Sequence, residues 1–181
     1  MIKEQTTEEL ILGSFYELLQ EKPYEKISIR DITRNCSIAN RTFYLHFRDK
    51  QELMEWSFLH VLDEYYEKNR FGLTLHQWLR FNAETISGQQ FYLRRFAEYR
   101  GQNNLLYVLR ESLTERYARL LREVYHAEDT KELRDATAFF VGGIVCYIDR
   151  MLLLAQMPAP EECVWLFEAC MPACIRTCVG G

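Results

Sequence analysis

Residues 28–47 leave this chain little freedom of fold. Ser28 and Asp31 form the S-x-x-[DE] pattern that satisfies free backbone N–H groups at a helix start. Behind it Ile29, Ile32 and Cys36 recur at i, i+3 and i+7, a narrow apolar stripe on a segment otherwise rich in arginine and polar residues. Cys36-Ser37-Ile38-Ala39-Asn40 is too short for anything but a tight turn. In Arg41-Thr42-Phe43-Tyr44-Leu45-His46-Phe47 the two phenylalanines lie four apart and face inward together, leaving Asn40, Arg41 and Tyr44 outward. Two helices this short are not stable alone, so their stripes must pack on neighbouring elements.

The neighbours are legible on both sides. Leu10, Ile11, Phe15, Leu18 and Leu19 recur at helical spacing over residues 7–21, with Thr6 or Thr7 to cap the start and Pro23 to end the helix. Asp49 opens a long amphipathic helix through Leu53, Met54, Phe58, Val61, Leu62 and Tyr65, with Lys50 in its first turn. Further helical periodicity fills residues 74–87, 89–99, 104–126 and 135–154, divided by Gly72, Gly88 and Gly101, and a last helix is expected over 161–178 after Pro158 and Pro160. With four prolines and eight glycines, the punctuation of many short strands is missing. The expectation is an all-α chain of about nine helices. An N-terminal three-helix helix-turn-helix domain takes residues 1–50, and a C-terminal helical ligand-binding and dimerisation domain takes residues 51–181.

Charge argues against a nucleic-acid partner until it is divided along the chain. The formal net charge is −4, but residues 28–50 hold Arg30, Arg34, Arg41, Arg48 and Lys50 against Asp31 and Asp49, a local +3 that leaves −7 elsewhere. Two readings fit. One is a short αα-hairpin with a solvated basic face. In the other, the second helix lies in the major groove, where Arg pairs with guanine and Asn with adenine, each worth about 1–3 kcal/mol of discrimination, while Tyr and Thr hydroxyls suit phosphates.

The order of residues from 11 to 53 resembles the DNA-binding domain of TetR-family repressors. Ile29-Arg30-Asp31-Ile32-Thr33 stands in the place of that family's second helix, and Ser37-Ile38-Ala39 in its turn. Thr42-Phe43-Tyr44-Leu45-His46-Phe47 matches the recognition-helix signature, and Asp49-Lys50-Gln51-Glu52-Leu53 the start of helix four. This chain departs from the pattern at Ala39, where a serine cap is usual, at Arg41, where a small residue is frequent, and at Ser37, where a glycine precedes the turn. The resemblance implies double-stranded DNA as partner, with Thr42, Tyr44 and Lys50 at contacting positions and the last two mainly on phosphates. Asn40 and Arg41 would carry sequence discrimination. Ser28 and Arg30 complete the DNA-facing set, and His46 either touches the DNA backbone or packs to close its helix.

In the body, aromatic residues are dense. Trp78, Phe81, Phe96, Tyr99 and Tyr107 are read as lining a pocket for a small apolar or aromatic effector, the other reading being an ordinary core. Residues 135–154 are apolar around most of the helix, more than one buried face needs, so a partner is expected. Phe139, Gly143, Tyr147 and Met151 there, with Trp165 and Met171 on the last helix, are the expected faces of a two-fold homodimer. Such a dimer sets two recognition helices about 34–36 Å apart on a palindrome. The resemblance implies the same: a repressor that dimerises through its final two helices.

Other functions find little support. No apolar run approaches the roughly 18 residues of a membrane span, and the start MIKEQTTEEL lacks the basic and apolar segments of a signal peptide, so a cytoplasmic protein without membrane association is expected. Cys170, Cys174 and Cys178 recur every four positions, a stripe on the expected last helix that suits small core residues better than disulfides or a metal. Glu123 and His126 have the Glu-x-x-His spacing of di-iron bundles, but the second copy such sites need is missing. No phosphate-binding glycine loop or nucleophile elbow occurs, and neither an enzyme nor a cofactor or metal is expected. The alternative function is a co-regulator of the same fold, controlled by a bound protein rather than a small molecule.

Overall fold

A computed structural model describes residues 6–101 and 104–180; residues 1–5, part of the start weighed above, lie outside it. Ten α-helices follow one another among the described residues, with no strand. They are α1 (Thr7–Glu21), α2 (Ile29–Asn35), α3 (Asn40–His46), α4 (Lys50–Asn69), α5 (Leu75–Gly88), α6 (Gln90–Ala97), α7 (Leu105–Glu123), α8 (Lys131–Leu154), α9 (Pro160–Ala169) and α10 (Ala173–Val179). A single 3-10 turn, Tyr24–Lys26, follows α1.

The helices start where side chains can satisfy the free N–H groups. Thr6 with Glu9, Ser28 with Asp31 and Thr74 with Gln77 form reciprocal capping boxes, and Asp49, Asn104 and Thr130 cap α4, α7 and α8. Alanine at position 39 gives α3 no side-chain cap. The first three helices and the start of α4 enclose Ile11, Phe15, Leu19, Ile32, Phe43 and Leu53, all fully buried. This cluster runs without a break into the core of the body. Phe15 stacks on Phe96 of α6 at 5.6 Å, and Tyr16 on Tyr92 at 3.8 Å, so α6 is the floor on which the N-terminal helices stand.

Two expectations are corrected here. Residues 161–178 are not one helix: α9 ends at Ala169 and α10 begins at Ala173, because Pro172 cannot continue the hydrogen-bond ladder. This break separates Cys170 from Cys174 and Cys178, so the stripe does not exist, and the count rises from about nine helices to ten. The second correction concerns α8. Its 24 residues include an 18-residue window of mean hydropathy 1.7, long and apolar enough to cross a membrane by length and composition. Thr137, Gly142 and Gly143 interrupt any unbroken apolar run, which hid this from a count of consecutive residues. In this fold α8 buries Phe140, Val141, Ile144, Val145, Ile148 and Leu152 within the bundle.

Candidate nucleic-acid interface

The geometry of residues 28–50 follows from how α2 is pinned to α1. Ser14 Oγ, buried, donates to the Ile32 carbonyl at 2.8 Å. Asn35 Nδ2 donates to Ser14 Oγ at 3.2 Å and to a Glu17 carboxylate oxygen at 2.7 Å. At the other end of α2, Asp31 Oδ2 accepts from the Ser28 N–H at 2.9 Å and pairs with Lys22 at 3.0 Å. The Ser28 backbone N–H, then its hydroxyl, then Lys22 hold the Asp31 carboxyl well below the usual carboxylate range. The chain then turns through Ser37, whose φ of 57° is left-handed, while Ile38 N–H donates back to the Thr33 carbonyl at 2.9 Å.

That turn sets the rotation of α3. Phe43 and Phe47 enter the core with ring centroids 5.8 Å apart, and Phe47 meets the edge of Trp56 on α4 at 5.6 Å. With those two residues locked, Arg41, Tyr44 and Leu45 at i, i+3 and i+4 share the opposite face and stand in solvent, Tyr44 57% and Leu45 74% exposed. Leu45 was not among the expected contacts. Its spacing of four from Arg41 is the signal that places it on the same face, where an apolar side chain suits a thymine methyl group.

The structure divides the expected residues by how much of each side chain is free. Arg30 and Arg41 are exposed, and Thr42 is half-buried. Ser28 is exposed, but its hydroxyl is engaged in the cap of α2. Asn40 Oδ1 accepts from Thr33 Oγ1 at 2.6 Å, which leaves its NH₂ free and its carbonyl oxygen occupied in joining α2 to α3. His46 Nδ1 lies 2.8 Å from Glu8 Oε1, so it fastens the end of α3 to α1. Lys50 is half-buried: its ammonium donates to the Tyr24 and Ile27 carbonyls at 2.7 Å each and sits 4.1 Å from the Tyr24 ring centre. Burial lowers the Lys50 pKa. One N–H of the three remains for a phosphate.

The residues expected to line a pocket are not brought together. Trp78 and Phe96 are fully buried core residues, and the indole N–H of Trp78 has no partner among the described residues. Phe81 stacks on Tyr65 at 3.7 Å, while Tyr99 packs 5.2 Å from Tyr24, against the N-terminal helices. Tyr107 is exposed beneath Arg110. The rings fall into separate clusters: Trp78 and Phe81 share Tyr65, Phe96 and Tyr99 share Tyr24, and Tyr107 stands apart from both. Of the expected dimer residues, three gather in one groove, while Trp165 borders a neighbouring depression with Tyr147. Phe139, Gly143 and Tyr147 on α8 border a groove of about 310 Å³ completed by Leu166, Phe167 and Cys170. Phe139 is 83% exposed and Trp165 71%, whereas Met151 and Met171 are half-buried.

A helix-turn-helix pinned to a helical body, with one polar and one apolar exposed face, defines the class of this protein. Residues 11–55 match the family model of bacterial regulatory proteins, tetR family. Over 58 residues the chain is 36% identical to the HTH-type dhaKLM operon transcriptional activator DhaS of Lactococcus lactis subsp. lactis (strain IL1403). That match takes in 32% of this chain and 31% of the relative, about a third of each. Across the whole fold, the solved dihydroxyacetone kinase operon activator DhaS aligns with a TM-score of 0.66 at 18% identity, covering 91% of this chain and 96% of that one. The TetR family repressor AlkX from Dietzia sp. strain DQ12-45-1b, implicated in biodegradation of n-alkanes, aligns at 0.57 with 13% identity, covering 94% and 96%. These last two likenesses show the fold. The chain carries the N-terminal domain of the tetR family on an all-α body folded like those of such regulators.

Proposed function

We propose that the protein is a cytoplasmic transcription regulator that binds a palindromic DNA operator as a homodimer. The observation that carries this reading is the locking of α3: with Phe43 and Phe47 in the core, Arg41, Tyr44 and Leu45 form one exposed face on a helix short enough to enter the major groove. Arg41 reads bases, Tyr44 and the remaining Lys50 N–H hold phosphates, and Arg30 adds positive charge alongside. The Asn40 amide nitrogen is a donor for a single base or phosphate contact rather than a paired adenine contact.

The second copy is supported by the apolar face of α8 and α9. Gly143 is exposed, and a Cβ built there meets nothing within 4 Å, so no packing contact among the described residues demands glycine at that position. Glycine inside a helix is destabilising by about 0.5–1 kcal/mol relative to alanine. Close approach of another helix gives it a use. Phe139, projecting beside the groove, is the knob that a two-fold copy receives in its own groove, as an isologous contact requires. Repression needs only occupancy of the operator, which this surface supports, whereas activation needs a further contact with the transcription machinery.

Selection from random duplex DNA followed by gel shift tests the reading. Enrichment of an inverted repeat with half-sites about one helical turn apart is expected, and Arg41→Ala should change the enriched sequence. Recovery of no preferred sequence would overturn it.

A further inference from the structure

Five polar side chains are buried among the described residues: Ser14, Thr33, Ser57, Asn82 and Thr137. Ser57, Asn82 and Thr137 each donate to a carbonyl three or four residues back in their own helix, and Ser14 donates to the backbone of α2. Thr33 is different. Its Oγ1 donates across the turn to Asn40 Oδ1 at 2.6 Å, an acceptor nearer than the Arg30 carbonyl of its own helix at 3.3 Å. Thr33 is 2% exposed, whereas Asn40 is exposed at the first position of α3. A buried hydroxyl thus fixes the amide of a residue that faces solvent. The two ends of a planar amide point in different directions, so turning the oxygen toward α2 turns the NH₂ away from it. Ser14 and Asn35 pin α2 to α1 beside Thr33, so the donor that orients Asn40 is itself held in place.

We propose that Thr33 is a positioning residue for base recognition: by holding the Asn40 oxygen it leaves the amide as a donor only, which selects guanine or thymine over adenine or cytosine at one base pair of each operator half-site. In the major groove guanine presents two acceptors, N7 and O6, and thymine presents O4, all suited to an outward NH₂. An amide reads adenine with both its ends, accepting from N6 and donating to N7. With the oxygen bound to Thr33, the adenine N6 donor meets no acceptor. Cytosine presents only a donor, N4, and is refused for the same reason. A base edge is the target rather than a phosphate, because the residues that begin a recognition helix are those that reach base edges. The fixed amide also has less side-chain freedom to lose on binding than a free one. The inference rests on the reading of α3 as a recognition helix and names what sets the base for one of its residues.

Selection from random duplex DNA with wild type and single variants tests it. Wild type should enrich guanine or thymine about five-fold at one position of each half-site, the discrimination of one hydrogen bond, and Asn40→Ala should make that position degenerate while leaving the others. Thr33→Val keeps the shape of the side chain and removes its hydroxyl. Because Asn40 is exposed, water reaches the released oxygen and the fold is expected to stand. That variant should admit adenine at the same position and at no other, a change that loss of packing would not produce, and Thr33→Ser should restore the wild-type preference. Asn40→Asp keeps an oxygen for Thr33 and puts a second one where the NH₂ was, so it should move the preference to cytosine; it carries the test should Thr33→Val not fold. An unchanged preference in Thr33→Val, adenine already preferred by wild type at the Asn40-dependent position, no move to cytosine in Asn40→Asp, or a sequence indifferent to Asn40→Ala would each overturn the inference and leave the regulator reading standing. Enrichment of no sequence by wild type would overturn both.

Discussion

Ser37 has φ of 57°, in the left-handed region where a side chain is strained by about 1–2 kcal/mol and glycine is not. The serine therefore opposes the turn that orients α3. Ser37→Gly should stabilise the protein by about 0.5–1 kcal/mol, the relief of strain less the extra freedom of glycine in the unfolded chain, seen as a raised midpoint in chemical denaturation. Asp31 is a residue whose contribution depends on pH. Its folded-state pKa is depressed by the Ser28 N–H, the Ser28 hydroxyl and Lys22, so its stabilising effect is present above the ordinary value of 3.8 and is lost as pH falls below it. Wild type should melt above Asp31→Asn at pH 7, and the gap should narrow by pH 3.

At the scale of elements, the decisive junction is where α4 meets the turn after α1. Lys50 holds two carbonyls of that turn, and Tyr24, against which it lies, packs in turn on Phe15, Phe96 and Tyr99. A chain of contact thus runs from α6 through Tyr24 to the first residue of α4. Removal of two charge-assisted hydrogen bonds from a half-buried ammonium should destabilise the fold, so Lys50→Ala should lose about 2 kcal/mol in denaturant titration. If Lys50 also holds a phosphate, the salt dependence of operator affinity should fall by about one ion in the same variant. An unchanged folding stability with a reduced salt slope would mean that the lysine serves DNA alone.

For the whole molecule, the two exposed faces make different demands. On the proposed reading, the α3 face needs a second copy at a fixed spacing, and the α8–α9 face would hold it. Phe139→Arg places a charge where the side chain is almost wholly in solvent in the single chain, so the fold should be unaffected. In the assembly that arginine would be buried without a partner. Sizing with light scattering should show a dimer for wild type and a monomer for Phe139→Arg, with operator affinity falling at least about ten-fold. A variant that remains dimeric would place the interface elsewhere.

Much of the N-terminal module was legible because its signals are local: Ser28 with Asp31, the spacing of Phe43 and Phe47, and Pro23 each act over a few residues. The break at Pro172 was equally local and was obscured by the regular cysteines around it. What required the tertiary structure was partnership over distance. Nothing near Lys50 in the chain announces the Tyr24 and Ile27 carbonyls, nor does anything near Asn40 reveal that Thr33 occupies its oxygen. The aromatic density of the body was visible, but which rings meet depends on how helices cross, and they meet in separate clusters around Tyr24 and Tyr65. Sequence by itself determined most of the helices, the capped starts of α1, α2 and α4, and the inward phenylalanines of α3, because backbone capping and helical periodicity are short-range. Only the packed chain decided which polar atoms were satisfied and which were left over, because hydrogen-bond partners come from elements far apart in sequence.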